Sequence, residues 1–138
     1  MSSTSAAAAL ARDAAAAVRR GLRLYLVVDG RASRFDYWAF VLFALLTQKL
    51  MSMVDAVLFG IDHMGGPLGI AAALALAAPT VAVATRRLHD VGRSAWWLLL
   101  AFVPVVGALG LLYFFIQPGA RAINAYGPPT PDPAPAQA

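Results

Sequence analysis

One uncharged stretch decides the fold: Gly65–Thr85, with the sequence GGPLGIAAALALAAPTVAVAT. It supplies the ~20 residues with which an α-helix crosses a hydrocarbon core of about 30 Å. Because lipid offers no partners to backbone polar groups, a spanning segment of this kind is expected to be helical. The stretch therefore predicts a transmembrane α-helix.

Apolar segments of similar length lie on both sides of this stretch. The earlier one covers about Tyr37–Phe59, and Tyr37 and Trp38 at its start suit the level of the lipid headgroups. The later one is expected at about residues 95–116, inside the uncharged segment Ser94–Ala120. Together the three segments predict an all-α fold, a small integral membrane helical bundle with about three transmembrane helices in a membrane domain of residues 18–126.

The composition supports a membrane protein and excludes several kinds of chemistry. Hydrophobic residues make up 60% of the chain and charged residues 13%, whereas soluble domains are about a quarter charged. The absence of cysteine excludes disulfides, cysteine-ligated metals and thiol catalysis. All seven acidic residues are Asp, and ten of the eleven basic residues are Arg. The net charge of +4 is interpreted as contact with anionic lipid, not with nucleic acid, and no cofactor is expected.

The N-terminal region predicts a short amphipathic helix at about Val18–Val28, preceded by an Ala-rich extension over residues 1–17. An apolar face of this helix would lie in the membrane interface; it consists of Val18, Leu22, Tyr25 and Leu26. The extension either continues this helix or frays, and both interpretations stay open. Charged residues interrupt every candidate signal core, so no cleaved signal is expected. At the other end, residues 127–138 form a Pro-rich tail that is predicted to be disordered.

The distribution of Arg residues predicts the orientation. Basic residues precede the first span and follow the second, whereas the loop between these spans offers only Asp62 and His63. The positive-inside rule therefore places the N-terminus and the second loop in the cytoplasm. Three full crossings would leave the C-terminus outside. If Pro104 and Gly107 bend the third span into a re-entrant hairpin, the C-terminus returns to the cytoplasm.

Two charged segments are expected to meet at this cytoplasmic face: GRASRFDYW at residues 30–38 and TRRLHDVGRSAWW at residues 85–97. If the second segment is helical, its spacing allows Asp90 to pair with Arg86 or Arg93, and Gly92 is expected to end the helix. Guanidinium groups suit phosphate and carboxylate geometry, so the candidate binding residues are Arg31, Arg34, Arg86, Arg87, His89, Asp90 and Arg93.

Three interpretations of this cluster stay open. In the first, the Arg residues and Asp90 serve only as an orientation signal; in the second, they bind an anionic group; in the third, His89 and Asp90 form a catalytic pair. The last is disfavoured because adjacent residues on a helix point about 100° apart. No catalytic or metal-ligating residue is assigned, and an enzyme is less expected than a binding protein.

A polar stripe also lies within the first span, where Gln48, Ser52 and Asp55 share a helical face and Lys49 is adjacent. Ionisable residues inside a membrane suggest a polar pathway or a contact between helices. Alternatively, Lys49 and Asp55 reach the outer surface because the span is shorter than it appears. Near the C-terminus, Asn124 and Tyr126 before Gly127 predict an ordered turn.

Four sequence elements together resemble a known family. They are GRASRFDYW, RRLHDVGRSAWWLL, VPVVGALGLLYFFIQPG and NAYGPP, and the chain is similar over about Leu24–Pro129 to the bacterial inner-membrane family known as domain of unknown function 805. The resemblance implies a small multi-span protein of the inner membrane, without an assigned activity, substrate or cofactor. The chain departs from the family pattern at Ala125, where an Arg is more usual, and in its Ala-rich extension.

These observations favour a non-enzymatic inner-membrane protein whose cytoplasmic Arg, Asp and His residues bind anionic headgroups or a partner protein, which includes a second copy of the chain. The alternative is a small transporter or channel subunit that uses Gln48, Lys49 and Asp55.

Overall fold

The computed structural model describes residues 3–60 and 66–131. Within these ranges the chain forms helices α1 (Ser3–Arg23), α2 (Arg34–Phe59), α3 (Pro67–Asp90), a 3₁₀ helix (Ala95–Phe102) and α4 (Val106–Ile116). The all-α prediction is therefore confirmed, and the architecture fits a small membrane helical bundle. Asp62, His63, the start of the predicted second span at Gly65, and the tail from residue 132 onward lie outside the described residues.

Helices α2 and α3 pack against each other, and both are long and apolar enough to cross a membrane. At 1.5 Å per residue their lengths are about 39 Å and 36 Å. Helix α2 begins three residues before the predicted span because Ser33 caps it, with its hydroxyl accepting a hydrogen bond from the Asp36 amide at 3.1 Å. Helix α3 continues past Thr85 to Asp90, and Gly92, with a φ of 73°, follows its end as predicted.

A hydroxyl group compensates for a proline inside α3. Pro79 has no amide hydrogen, so the carbonyl of Ala75 lacks the donor that a regular helix would supply. The Tyr25 hydroxyl donates a hydrogen bond to that carbonyl. The segment after α1 is thereby fixed to α3 at the position where α3 would otherwise leave a backbone acceptor unpaired.

Helix α1 differs from the predicted interfacial helix in both of its ends. It begins at Ser3, inside the Ala-rich extension, because Ala has the highest helix propensity. It ends at Arg23, so the following residues up to Val28 lie outside it. Its contact with α2 is close: a Cβ atom added at Gly21 would lie 2.3 Å from Phe40 Cδ2. Small residues therefore face the bundle, whereas Leu22 and Leu26 are exposed.

The predicted third span is not one continuous helix. The 3₁₀ helix has eight residues and α4 has eleven, which gives each a length of about 16 Å, too short to cross the hydrocarbon core. The two helices fold against each other so closely that a Cβ atom on Gly107 would lie 1.7 Å from the Leu100 carbonyl oxygen. After α4 the chain returns to the end of α3, where the Ala120 amide donates a hydrogen bond to the Asp90 carbonyl at 2.8 Å. Residues 95–116 thus form a helical hairpin.

The buried core lies at one end of the bundle, where the start of α2, the end of α3 and α4 meet. Its largest members include Phe40, Leu88 and Phe115. Every residue from Ala82 to Asp90 is buried, whereas most of the remaining helical surface exposes apolar side chains. The charged residues at the end of α3 therefore lie inside the best packed part of the molecule.

Candidate functional site

Three charged side chains form an ion cluster in this core. Asp90 Oδ1 accepts a hydrogen bond from Arg31 Nε at 2.8 Å, and Asp90 Oδ2 accepts one from Arg87 Nη1 at 2.5 Å. The exposed fraction of each of the three side chains is at most 2%. A buried charge is costly unless it is paired and fully hydrogen-bonded, so the remaining donors of both Arg residues must also find acceptors.

Those donors bind backbone carbonyls at the end of α4, in the segment that follows it and at Asp90. Arg31 Nη1 donates to the Ala122 carbonyl at 3.0 Å, and Arg87 Nε donates to the Phe115 carbonyl at 3.4 Å. Further acceptors are the carbonyls of Asp90, Gln117, Ala120 and Gly127. We call Arg31, Arg87 and Asp90 the clamp, because together they hold the end of the hairpin against α3.

The pairing of Asp90 with Arg86 or Arg93 that the spacing suggested is wrong. Asp90 pairs with Arg87, three residues earlier, and with Arg31 from the segment before α2. Arg93 lies beyond the end of α3, and its guanidinium lies 5.3 Å from the Trp97 ring centroid and 5.4 Å from that of Phe114, a cation–π arrangement. Arg86 points away from Arg87, as adjacent residues on a helix must.

His89 contacts the C-terminal segment and not Asp90. Its ring stacks on Tyr126 with 3.7 Å between the centroids and 4° between the planes, and its Nδ1 lies 3.2 Å from the Gly30 carbonyl oxygen. Asn124 Nδ2 donates to the His89 carbonyl at 2.9 Å. The predicted turn at Asn124 and Gly127 is confirmed by two backbone hydrogen bonds between these residues. His89 therefore helps to hold the turn at Asn124–Gly127 against the end of α3.

Arg86 lines a cavity of about 370 Å³ between α1, α2 and α3, which the segment before α2 and the C-terminal residues Thr130 and Pro131 also border. The residue is only 5% exposed, and its Nε donates to the Ala82 carbonyl of its own helix at 3.3 Å. Within residues 3–60 and 66–131, no acceptor forms a hydrogen bond with its two terminal nitrogens, and the Asp36 carboxylate interacts with Arg86 electrostatically. Arg20 and Asp36 line the same cavity and form an ion pair with each other.

Arg34 lies apart from this cavity. It is exposed and lines a second cavity of about 280 Å³, which Asp90 and residues 118–121 and 129–131 also border. The predicted cluster of seven residues is therefore divided into the clamp, the cavity at Arg86, and peripheral positions. Arg20 was not among the site residues predicted from the sequence; its position in a basic amphipathic segment was the available signal.

The polar stripe of α2 faces α3 at the opposite end of the bundle. Asp55 is completely buried, and its carboxylate accepts hydrogen bonds from the Leu68 amide at 3.1 Å and the Gly69 amide at 2.7 Å. It therefore caps the start of α3, which Gly66 leaves without a side-chain cap. Gln48 and Ser52 also lie against Gly69.

Lys49 is exposed on the surface of α2. The stripe thus makes a contact between helices, and Asp55 does not point to the outer surface as one interpretation required. Among the described residues there is no group of three or more His, Asp or Glu side chains that would hold a metal ion.

The family follows from comparison with known proteins. Residues 25–128 match the model of a family described as "Protein of unknown function (DUF805)". The chain belongs to the DUF805 family. It is 39% identical to inner membrane protein YhaI of Escherichia coli over 106 residues, which cover 77% of this chain and 87% of YhaI. It is 37% identical to inner membrane protein YhaH of the same organism over 109 residues, or 78% of this chain and 89% of YhaH.

Like these relatives, this DUF805 protein is a protein of the bacterial inner membrane. No solved structure gives a significant match to it. The whole clamp lies within the matched residues, whereas the cavity combines matched and unmatched parts: Asp36 and Arg86 fall inside the range and Arg20 falls outside it. The cavity therefore depends on α1, which the DUF805 match does not include.

Proposed function

We propose that this DUF805 protein is a non-enzymatic membrane protein that binds the anionic headgroup of a lipid at the cavity beside Arg86. The observation that carries the proposal is the difference between Arg87, whose donors bind Asp90 and backbone carbonyls, and Arg86, whose terminal nitrogens face an open cavity. Burial of a guanidinium is costly, and Asp36, the carboxylate that interacts with Arg86, is already paired with Arg20. An anionic ligand at this position would reduce the cost of burying Arg86.

The level of the cavity fits a headgroup. Asp36 lies in the first turn of α2, and Arg86 lies four residues before the end of α3, so both are within about 6 Å of a helix end. Helix ends of this length coincide with the headgroup region. Planar guanidinium groups form two parallel hydrogen bonds with phosphate, which favours Arg over Lys at such a site.

The proposed topology has two full crossings and one hairpin. The positive-inside rule puts the N-terminus and the Arg-rich end of α3 in the cytoplasm. Because residue 120 returns to Asp90, the C-terminus lies on the same side in this arrangement. A reporter fused to the C-terminus should therefore be cytoplasmic, as should one fused after Arg93, and a reporter at Asp62 should be periplasmic. A periplasmic C-terminal fusion would contradict the proposed topology.

The geometry does not favour the alternative of a transporter or channel subunit. Both carboxylate oxygens of Asp55 accept backbone hydrogen bonds at the start of α3. Asp55 therefore caps this helix, and its oxygens are not available to a transported ion. Lys49 is exposed on α2 and does not join Asp55 in a polar pathway.

Lipid binding is tested with the purified full chain in nanodiscs of phosphatidylcholine, with and without anionic lipid. A ligand that binds only the folded protein raises the unfolding temperature, so anionic lipid should raise the Tm of the wild type. Arg86→Gln should remove this increase, and Arg23→Gln should retain it because Arg23 is exposed and does not line the cavity. If anionic lipid leaves the Tm of the wild type unchanged, or if the chain instead captures a protein partner through Arg86, the lipid-binding proposal is wrong.

A further inference from the structure

We infer that the cavity between α1, α2 and α3 selects a phosphodiester headgroup, with a single negative charge, and that Asp36 excludes phosphomonoesters. The inference rests on the proposed function and names the chemical class of ligand at the same site. It is carried by the charges of three side chains around one cavity: Arg20, Asp36 and Arg86.

Arg86 supplies the primary contact for the phosphate. Its side chain is buried in α3, so its position is fixed by packing, and its two terminal nitrogens reach the cavity. Both nitrogens of a guanidinium can bind two oxygens of one phosphate. A phosphodiester has two unesterified oxygens, which matches that pair of donors.

The specificity follows from the one carboxylate among the charges of the cavity. Arg20 and Arg86 contribute two positive charges and Asp36 one negative charge, which leaves +1 on these three side chains. Arg31 also borders the cavity, but it and Arg87 share the single carboxylate of Asp90, so the clamp adds a positive charge that the ligand does not contact. A phosphodiester carries one negative charge and neutralises the three side chains. A phosphomonoester carries about −1.5 to −2 at neutral pH, so its additional charge would be repelled by Asp36.

The two side chains of the Arg20–Asp36 ion pair differ in how far they can move. The Arg20 side chain is 54% exposed, whereas that of Asp36 is 14% exposed. Asp36 is also fixed by its backbone, because its amide donates to the Ser33 hydroxyl that caps α2. Arg20 is therefore able to turn toward a ligand while Asp36 stays in place. We assign Arg20 as the second contact to the phosphate and Asp36 as the residue that determines specificity.

The cavity also accommodates the rest of such a headgroup. Its volume of about 370 Å³ falls in the ~300–1,000 Å³ range of small-molecule sites. Apolar side chains complete the wall on one side: Ala17 of α1, Leu24 directly after α1, and Val83 of α3. Because this wall is apolar, it suits the glycerol ester of a lipid better than it suits a charged phosphate group.

The test compares three lipids with the full chain by native mass spectrometry. Nanodiscs of phosphatidylcholine contain phosphatidylglycerol (an anionic diester), phosphatidic acid (a monoester) or phosphatidylethanolamine (a zwitterionic diester). We expect phosphatidylglycerol to bind more tightly than the other two. Arg86→Gln should weaken it by about tenfold or more, since charge-assisted hydrogen bonds are lost. Arg20→Gln should weaken it about two- to fivefold, as for a partly exposed charge.

Asp36→Asn provides the decisive measurement. Removal of its negative charge should raise the affinity for phosphatidic acid about two- to fivefold relative to phosphatidylglycerol. The matched controls are Arg23→Gln and Asp29→Asn, whose charges lie near α1 but do not line the cavity. These controls should retain the wild-type preference. Because Arg20 and Asp36 are not in the clamp, their variants are expected to fold even if Arg86→Gln does not.

The outcomes separate this inference from the proposed function. If phosphatidic acid binds as tightly as phosphatidylglycerol and Asp36→Asn changes nothing, lipid binding survives and the inference is wrong. If neither anionic lipid binds better than phosphatidylcholine, both are wrong. If soluble glycerophosphoglycerol competes as strongly as the lipid itself, the phosphodiester chemistry is supported and the proposed lipid-binding function is overturned.

Discussion

The two ends of the α2–α3 pair each bury an aspartate, and they satisfy it in different ways. At one end Asp90 binds two guanidinium groups from segments 59 and 3 residues away. At the other end Asp55 binds two backbone amides at the start of α3. Among the described residues that contact it, the first carboxylate is balanced by counter-charges and the second by the positive end of a helix.

The difference shows what each end requires. The Asp55 end joins two consecutive helices, so one carboxylate is sufficient to cap the second of them. The Asp90 end brings together the segment before α2, the end of α3 and the return of the hairpin. Two guanidinium groups supply enough donors to bind the irregular backbone of that return. Buried backbone carbonyls are costly unless they are hydrogen-bonded, and these donors satisfy those of the return.

The largest expected effect comes from the clamp. Asp90→Asn removes the negative charge between two buried guanidinium groups, and loss of one partner of a buried ion pair costs about 3 to 5 kcal/mol. The variant should lose most of its thermal stability in detergent, measured as Tm against wild type. Asp29→Asn is the control, because Asp29 is exposed. A Tm for Asp90→Asn near that of wild type would show that the clamp does not hold the hairpin.

A second pair of changes compares the packing of the two carboxylates. Each carboxylate lies against a glycine: a Cβ atom on Gly119 would lie 2.1 Å from Asp90 Oδ2, and one on Gly66 would lie 2.8 Å from Asp55 Cγ. Overpacking costs about 1 to 3 kcal/mol, so both alanine variants should lower the Tm, and Gly119→Ala should lower it more. Gly110→Ala, which meets only the end of the Leu100 side chain, serves as the control.

The cap at the other end should be less sensitive. Asp55→Asn keeps an oxygen that accepts one amide hydrogen but loses the charge and the second acceptor. Loss of an N-cap costs about 0.5 to 2 kcal/mol, so the decrease in Tm should be smaller than for Asp90→Asn. Hydrogen exchange should increase mainly in the first turn of α3. An equal decrease for the two variants would remove the proposed distinction between the ends.

The smallest effect is expected at Lys49, between the two ends. This residue is exposed on the apolar surface of α2, and a central Lys is unfavourable in lipid. Lys49→Leu should therefore leave the Tm unchanged or raise it. A clear decrease would mean that Lys49 has a polar partner in the membrane, such as a second copy of the chain. It would then support the interpretation of the polar stripe as a functional pathway.

The sequence was informative where a single segment carries the signal. The length and apolar content of Tyr37–Phe59 and the following uncharged stretch predicted the two long helices, and Gly92 predicted the end of α3. It was misleading where the outcome depends on segments far apart in the chain. Helical spacing suggested Arg86 or Arg93 as the partner of Asp90, because spacing describes one helix and contains no information on Arg31.

Hydrophobicity and charge pattern by themselves determined that this chain is a helical membrane protein with a cluster of charges at one face. These properties depend on local composition and on the transfer of apolar surface to lipid, which need no knowledge of contacts. The tertiary structure alone decided that residues 95–116 fold back, that Tyr25 compensates for Pro79, and that Arg87 binds Asp90 while Arg86 lines a cavity. Each of these depends on which distant backbone group lies within hydrogen-bonding distance, and only the packed helices bring such groups together.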